Sequence, residues 1–172
     1  MNPLLNFIFS RRSIRTFTQR EIPEGLLIDL LEAAMAAPSA VAKDPWHFIV
    51  LHSRVSLDQL AANLPNGKML GEATAALVVC GDLDKAHDQQ LSFLLQDLSA
   101  AIENILLAAT ALGLGACWLG IHPREERIAA VARQFALPAQ VIPVAAIALG
   151  WPAHEAEPRT RYNPACVHLE RW

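Results

Sequence analysis

Residues 89–120 read QQLSFLLQDLSAAIENILLAATALGLGACWLG, and the architecture can be read outward from this stretch. Leu91, Leu94, Leu95, Leu98, Ile102, Ile105, Ala109 and Leu112 recur every three or four positions, which predicts one long helix from about Gln89 to Leu112 with a core-facing stripe. Gly113-Leu114-Gly115 stops that helix, and Ala116 to Leu119 then reads as a short strand ended by Gly120. Downstream, residues 123–135 form a helix with Pro123 near its start and Leu137-Pro138 after its end, and residues 141–149 form a strand ended by Gly150. Upstream, the apolar run Ala75 to Cys80, bounded by Gly81-Asp82, is short enough for a buried strand, and Trp46 to Leu51 is bulky and β-branched enough for another.

Three further helices complete the reading. Residues 3–10 carry proline in a first turn, and residues 55–64 are closed by Pro65-Asn66-Gly67. From Pro23 to Pro38, helical spacing places Leu27, Leu30, Leu31, Ala34 and Met35 on one face. Helices come first, then strands alternate with helices without repeats or linkers, so the residues imply one domain, 1–172, of α+β or α/β class. The tail from Trp151 to Trp172 has no core pattern until Val167-His168-Leu169 and is expected to wrap on something.

Composition narrows the function. A chain of 172 residues, 53% apolar and 18% charged, can build a substantial core and is not a disordered sequence. No segment is expected to supply the roughly 20 apolar residues of a membrane span, and Met1 to Phe9 lacks the basic start of a signal peptide, so a cytoplasmic chain is expected. Cys80, Cys117 and Cys166 are odd in number and far apart, which encodes neither a disulfide framework nor a zinc site. A net charge of -3 argues against nucleic-acid binding. The alanine- and leucine-rich composition leaves apolar surface to spare, which marks a partner.

Several chemistries are excluded by the residues themselves. Gly113-Leu114-Gly115 has Trp118 where a dinucleotide fingerprint needs glycine, and it follows a helix; Ala62 stands where a phosphate loop before Lys68 needs glycine. No serine occupies a nucleophile elbow, and the six histidines lack metal-ligand spacing. Glu125 and Glu126, flanked by Arg124 and Arg127, read as a solvated helix face rather than an acid/base pair. No catalytic side chain and no metal site is expected.

Positive charge is instead concentrated at the two ends. Arg11, Arg12 and Arg15 lie within five residues of one another with Ser13 among them, and Arg159 and Arg161 flank Thr160 in the tail. Guanidinium groups and a hydroxyl so close together suit a phosphate dianion, which takes bidentate arginine contacts. Pro38-Ser39-Ala40 opens a loop of small side chains that lets a flat ring approach the backbone.

Taken together, Arg11-Arg12-Ser13-Ile14-Arg15-Thr16-Phe17, Ala37-Pro38-Ser39-Ala40, Pro45-Trp46-His47-Phe48-Ile49-Val50, the 96–115 segment, Trp118-Leu119-Gly120 and the closing arginines resemble, in this order, the short members of the nitroreductase family of FMN-dependent oxidoreductases. The resemblance implies an α+β fold with a central, mainly antiparallel sheet sandwiched by helices, in an intertwined homodimer with FMN at each interface. It implies that Arg11, Arg12, Ser13 and Arg15 hold the ribityl-phosphate end with Arg161 and Arg159, and that Pro38, Ser39 and Ala40 of the other subunit line the ring. Backbone amides of Leu119 and Gly120 would lie near its reactive nitrogen, and Lys68 near its polar edge. NADH or NADPH would reduce FMN, and a nitroaromatic or quinone would then take the electrons in the same place. Two departures stand out: Ala42 and Asp44 replace the family's asparagine and glutamine, which removes a hydrogen bond to the ring and adds an acidic group. The alternative these departures leave open is a flavin-binding storage or sensing protein without turnover.

Overall fold

The computed structural model describes residues 2–172. A turn at Pro3–Leu5 leads into helix α1 (Asn6–Ser10), followed by α2 (Glu24–Met35), β1 (Trp46–Leu51), α3 (Arg54–Asn63), β2 (Ala75–Asp82), α4 (Leu91–Ala111), β3 (Gly115–Gly120), α5 (Glu125–Gln134) and β4 (Val141–Gly150). The four strands form one sheet in the order β1-β2-β4-β3 with every neighbouring pair antiparallel. The class is therefore α+β, and the alternation of elements along the chain does not yield a parallel sheet.

The sheet is covered on both faces because its central strands alternate between two cores. Ala75, Leu77 and Val79 of β2 join Leu30 of α2 and Leu94, Leu98, Ile102 and Ile105 of α4. Ala76, Val78 and Cys80 join Leu57 and Leu60 of α3 and Val131 of α5. All eight β2 residues are buried, as expected of a strand packed on both sides. Helix α4 ends where Gly113 adopts φ +75° and the Leu114 amide reaches back to Ala109 O at 2.8 Å, a left-handed termination that glycine adopts without steric penalty.

Two expectations are corrected here. Helix α4, at 21 residues, is long and apolar enough by length and composition to cross a membrane, but Leu94, Leu98, Ile102 and Ile105 pack against the sheet and α2. Met35 is 53% exposed, because the buried stripe of α2 runs through Leu27, Leu30 and Ala34 and the helix ends one residue past Ala34.

A second glycine pair matters for the site. Gly115 opens β3 and stands opposite Gly150 at the end of β4. A Cβ on Gly115 would meet Ile14 at 2.8 Å, and one on Gly150 would meet Phe17 at 2.7 Å. The paired glycines thus form a flat seat for the chain at residues 14–17.

The surplus of apolar surface read from composition is visible. Leu4, Phe7 and Ile8 near the N-terminus and Tyr162, Leu169 and Trp172 in the tail are exposed, Trp172 completely so. Beyond Pro152 the tail contains only a short turn at Pro164–Cys166 and is tethered to α1 by the Arg159 amide donating to Phe9 O at 2.9 Å.

Candidate functional site

Strand β3 is an edge strand, and half of that edge is already occupied. The Ile14 amide donates to Ala116 O at 3.0 Å, and Ser13 bridges Ala116 in parallel orientation. Backbone groups in an antiparallel ladder alternate between partner and edge. Because Ala116 faces outward and the Ile121 amide bonds to Val144 O of β4, the same alternation turns Leu119 into the ladder and Gly120 out to the edge. The Leu119 amide is therefore spent within the sheet, and of the two backbone amides expected there, Gly120 supplies the outward one.

An open cleft of about 750 Å³ lies along this free edge, between the chain at residues 64–72, β3 and the start of α5. Arg15, Lys68 and Arg127 line it with Glu72, and Cys117, Leu119 and Gly120 form its floor. Three cations against one carboxylate make the cleft electropositive. Arg15 is placed there by its neighbours: Ile14 and Phe17 lie on the glycine seat, which turns the intervening side chain out toward the cleft. Lys68 is carried by the turn Lys68–Gly71, which packs Leu70 into the core beneath α3.

Two buried thiols lie in the sheet, Cys80 in β2 and Cys117 in the cleft floor. Burial pushes Cys80 up to about 12. Burial also raises Cys117, and the nearby Arg15 guanidinium opposes that rise by favouring the thiolate. The raised thiol of Cys80 is protonated in the folded chain at a pH where the unfolded chain ionises it. Its contribution to stability is therefore complete below the ordinary value of 9.0 and is lost as pH rises through about 12.

The remaining sequence-predicted residues do not all reach this cleft within one chain. The three N-terminal arginines diverge. Arg15 enters the cleft, Arg11 pairs through Nε with Glu103 of α4 at 3.6 Å, and Arg12 Nη1 donates to Glu157 O of the tail. Ser13 has its backbone engaged with β3, and its carbonyl accepts from Arg15 Nη1 at 3.3 Å. Arg159 and Arg161 belong to the exposed tail.

Pro38, Ser39 and Ala40 lie outside the cleft lining, in a loop held by its own contacts. The Ala40 amide donates to Asp97 Oδ1 at 2.8 Å, and Ser39 Oγ donates to Asp44 Oδ1 at 2.5 Å. Asp44 is thus engaged with Ser39. Val41, Ala42 and Asp44 all have φ near +50°, a left-handed conformation that L-residues rarely adopt, so the loop stores strain.

Arg127, Glu72 and Cys117 are site residues that sequence reading missed. Arg127 corrects the expectation of a solvated helix face: its Nη1 donates to Gly120 O at 2.9 Å and its Nε is buried. The charge pattern Arg-Glu-Glu-Arg concealed it. The available signal was its position one turn beyond a proline that follows the strand-ending glycine.

Comparison with known proteins agrees with this architecture. The nitroreductase family model matches residues 8–64 and 57–151. A Methanothermobacter thermautotrophicus protein named for NADH dehydrogenase and NAD(P)H nitroreductase activity is 44% identical over 169 residues, covering 98% of this chain and 87% of that protein. A similarly named Parabacteroides distasonis crystal structure superposes with a TM-score of 0.93 at 37% identity, covering all of both chains. A Desulfovibrio desulfuricans structure named as a nitroreductase in complex with FMN superposes with a TM-score of 0.85 at 33% identity, covering 100% of this chain and 99% of that one. With the family model spanning sheet, cleft and arginine segment alike, this chain belongs to the nitroreductase family.

Proposed function

We propose that the protein is an FMN-dependent NAD(P)H oxidoreductase working as a homodimer, with residues 1–172 forming one flavin-binding domain. The observation that carries this reading is the free edge at Gly120. A Cβ there would meet nothing nearer than His122 O at 3.9 Å, so packing within the chain does not require glycine, and the open space beside an outward amide suits a flat ring. The donor set also fits an elongated anion, since Arg15 pairs with no carboxylate among the ion pairs of the described residues and Lys68 lies along the same cleft.

In this reading Lys68 and the Gly120 amide orient the ring, and the Leu119 side chain shields it from water. Arg11, Arg12, Ser13 and Arg15 bind the phosphate with Arg159 and Arg161. The bond from Arg12 to Glu157 O, two residues before Arg159, already ties the two basic segments together. Pro38, Ser39 and Ala40 come from a second copy, whose association also covers the exposed apolar residues of the N-terminus and tail. FMN, when bound, supplies hydride acceptance from NADH or NADPH and two-electron delivery to a nitroaromatic or quinone, so no side chain need act as acid or base. Arg15 and Lys68 would supply positive charge to whichever anionic group occupies the cleft.

Steady-state kinetics test this reading. With donor and acceptor varied together, parallel double-reciprocal lines are expected, because one cleft serves both in turn. Intersecting lines would contradict successive occupation, and no turnover with any quinone or nitroaromatic would contradict the activity.

A further inference from the structure

Gly120 ends β3 at the point where the chain leaves the sheet: the Ile121 and His122 amides both donate to Val144 O at 3.1 Å, and the strand goes no further. Gly120 has no side chain to pack, and a Cβ there would meet nothing nearer than His122 O at 3.9 Å, so side-chain packing does not restrain this strand end. Arg127 of α5 supplies a restraint from outside the strand. It reaches back seven residues to donate Nη1 to the Gly120 carbonyl at 2.9 Å, while its Nε is enclosed without a partner. Neither Glu125 nor Glu126 pairs with it among the ion pairs of the described residues, so its guanidinium is free to be committed to this carbonyl.

We propose that Arg127 is a positioning residue: by holding the Gly120 carbonyl from outside the sheet, it pins the Gly120–Ile121 peptide opposite the Ile121 bond to Val144 O, and so limits the φ/ψ freedom of Gly120 through which its outward N–H, on which the bound cofactor depends, would turn. The proposal rests on the flavin reading of the cleft. A planar guanidinium suits the task because it makes a charge-assisted bond from a rigid fork and keeps its charge at any working pH. Lysine offers one mobile donor in its place, and methionine offers none.

The test compares Arg127→Met and Arg127→Lys with the wild type in two states. In the flavin-free protein, hydrogen exchange at the Ile121 and His122 amides should accelerate in Arg127→Met and be partly restored in Arg127→Lys, because these amides are protected only while the strand end is closed. In the FMN-loaded protein, the saturating rate of anaerobic flavin reduction should fall about tenfold in Arg127→Met, with the donor's apparent affinity little changed and the rate partly recovered in Arg127→Lys. Exchange and reduction rates in Arg127→Met indistinguishable from wild type would overturn the role, as would an Arg127→Lys variant as impaired as Arg127→Met. Should Arg127→Met not fold, Arg127→Lys is measured alone: exchange at the Ile121 and His122 amides faster than wild type supports the role, and exchange equal to wild type overturns it. A wild-type protein that takes up no FMN would sink the flavin reading itself. A flavin-loaded wild type with unaltered variants would sink only the positioning role.

Discussion

Arg15→Ala should release FMN without unfolding the chain. A charge-assisted hydrogen bond contributes about 1.5–3 kcal/mol, which corresponds to a loss of affinity of about 10- to 150-fold. The folded chain loses little, because the side chain's hydrogen bond within the chain is a 3.3 Å contact to the Ser13 carbonyl two residues away, at an exposed position. Arg11 offers the contrast, since its Nε already pairs with Glu103 of α4. Flavin titration of the apoprotein, with the melting temperature of the flavin-free variant beside it, checks the prediction. Affinity equal to wild type would remove Arg15 from the phosphate site. Arg161→Ala should move in the same direction, and its failure to do so would detach the tail from the cofactor.

Gly150→Ala should cost both stability and flavin. The new methyl group would stand 2.7 Å from Phe17 Cδ1 and 3.0 Å from Phe17 Cβ, inside contact distance along the near side of the ring. Phe17 is 5% exposed and its neighbourhood is fixed: the Thr18 amide donates to Trp151 O at 2.9 Å and the Ala153 amide to Thr16 O at 3.0 Å. Overpacking of this kind costs about 1–3 kcal/mol. Any relief must lift residues 14–17 off their seat, which carries Arg15 away from the cleft. The expected result is a lower denaturant midpoint together with weaker FMN binding. Gly25→Ala is the control, because a Cβ there meets nothing within 4 Å and the position lies inside α2. It should be neutral or slightly stabilising, since alanine is the better helix former by up to about 1 kcal/mol. Equal stability and equal affinity in Gly150→Ala would mean that the seat does not position the arginine.

These two sites also show what the sequence makes legible and what it hides. The stripe of α4 could be read from its spacing, and Leu94, Leu98, Ile102, Ile105 and Ala109 are buried along it, whereas Leu91 in the first turn is 37% exposed and Leu112 caps the helix end only partly buried. The strands could be read from their composition, but their order could not. That Gly115 stands opposite Gly150 is a consequence of β3 and β4 pairing in register, so in the sequence each glycine reads only as a boundary. The arginine cluster was legible as a cluster, yet its three side chains take three directions, because Ser13 and Ile14 are held on the sheet edge while Arg11 and Arg12 precede that contact. Arg127 was hidden for a related reason: its partner is a backbone carbonyl, which leaves no trace in residue types. The tail was legible as lacking a core of its own, and its apolar residues remain exposed in the single chain.

The visible spectrum of the purified protein, taken before and after anaerobic addition of NADH or NADPH, tests flavin binding and redox competence together. A yellow protein is expected, with oxidised-flavin bands that one of the two nucleotides bleaches and a quinone or nitroaromatic restores. A colourless protein that added FMN does not stabilise would contradict the cofactor assignment, and a yellow protein that neither nucleotide bleaches would leave a flavin carrier where an oxidoreductase is expected.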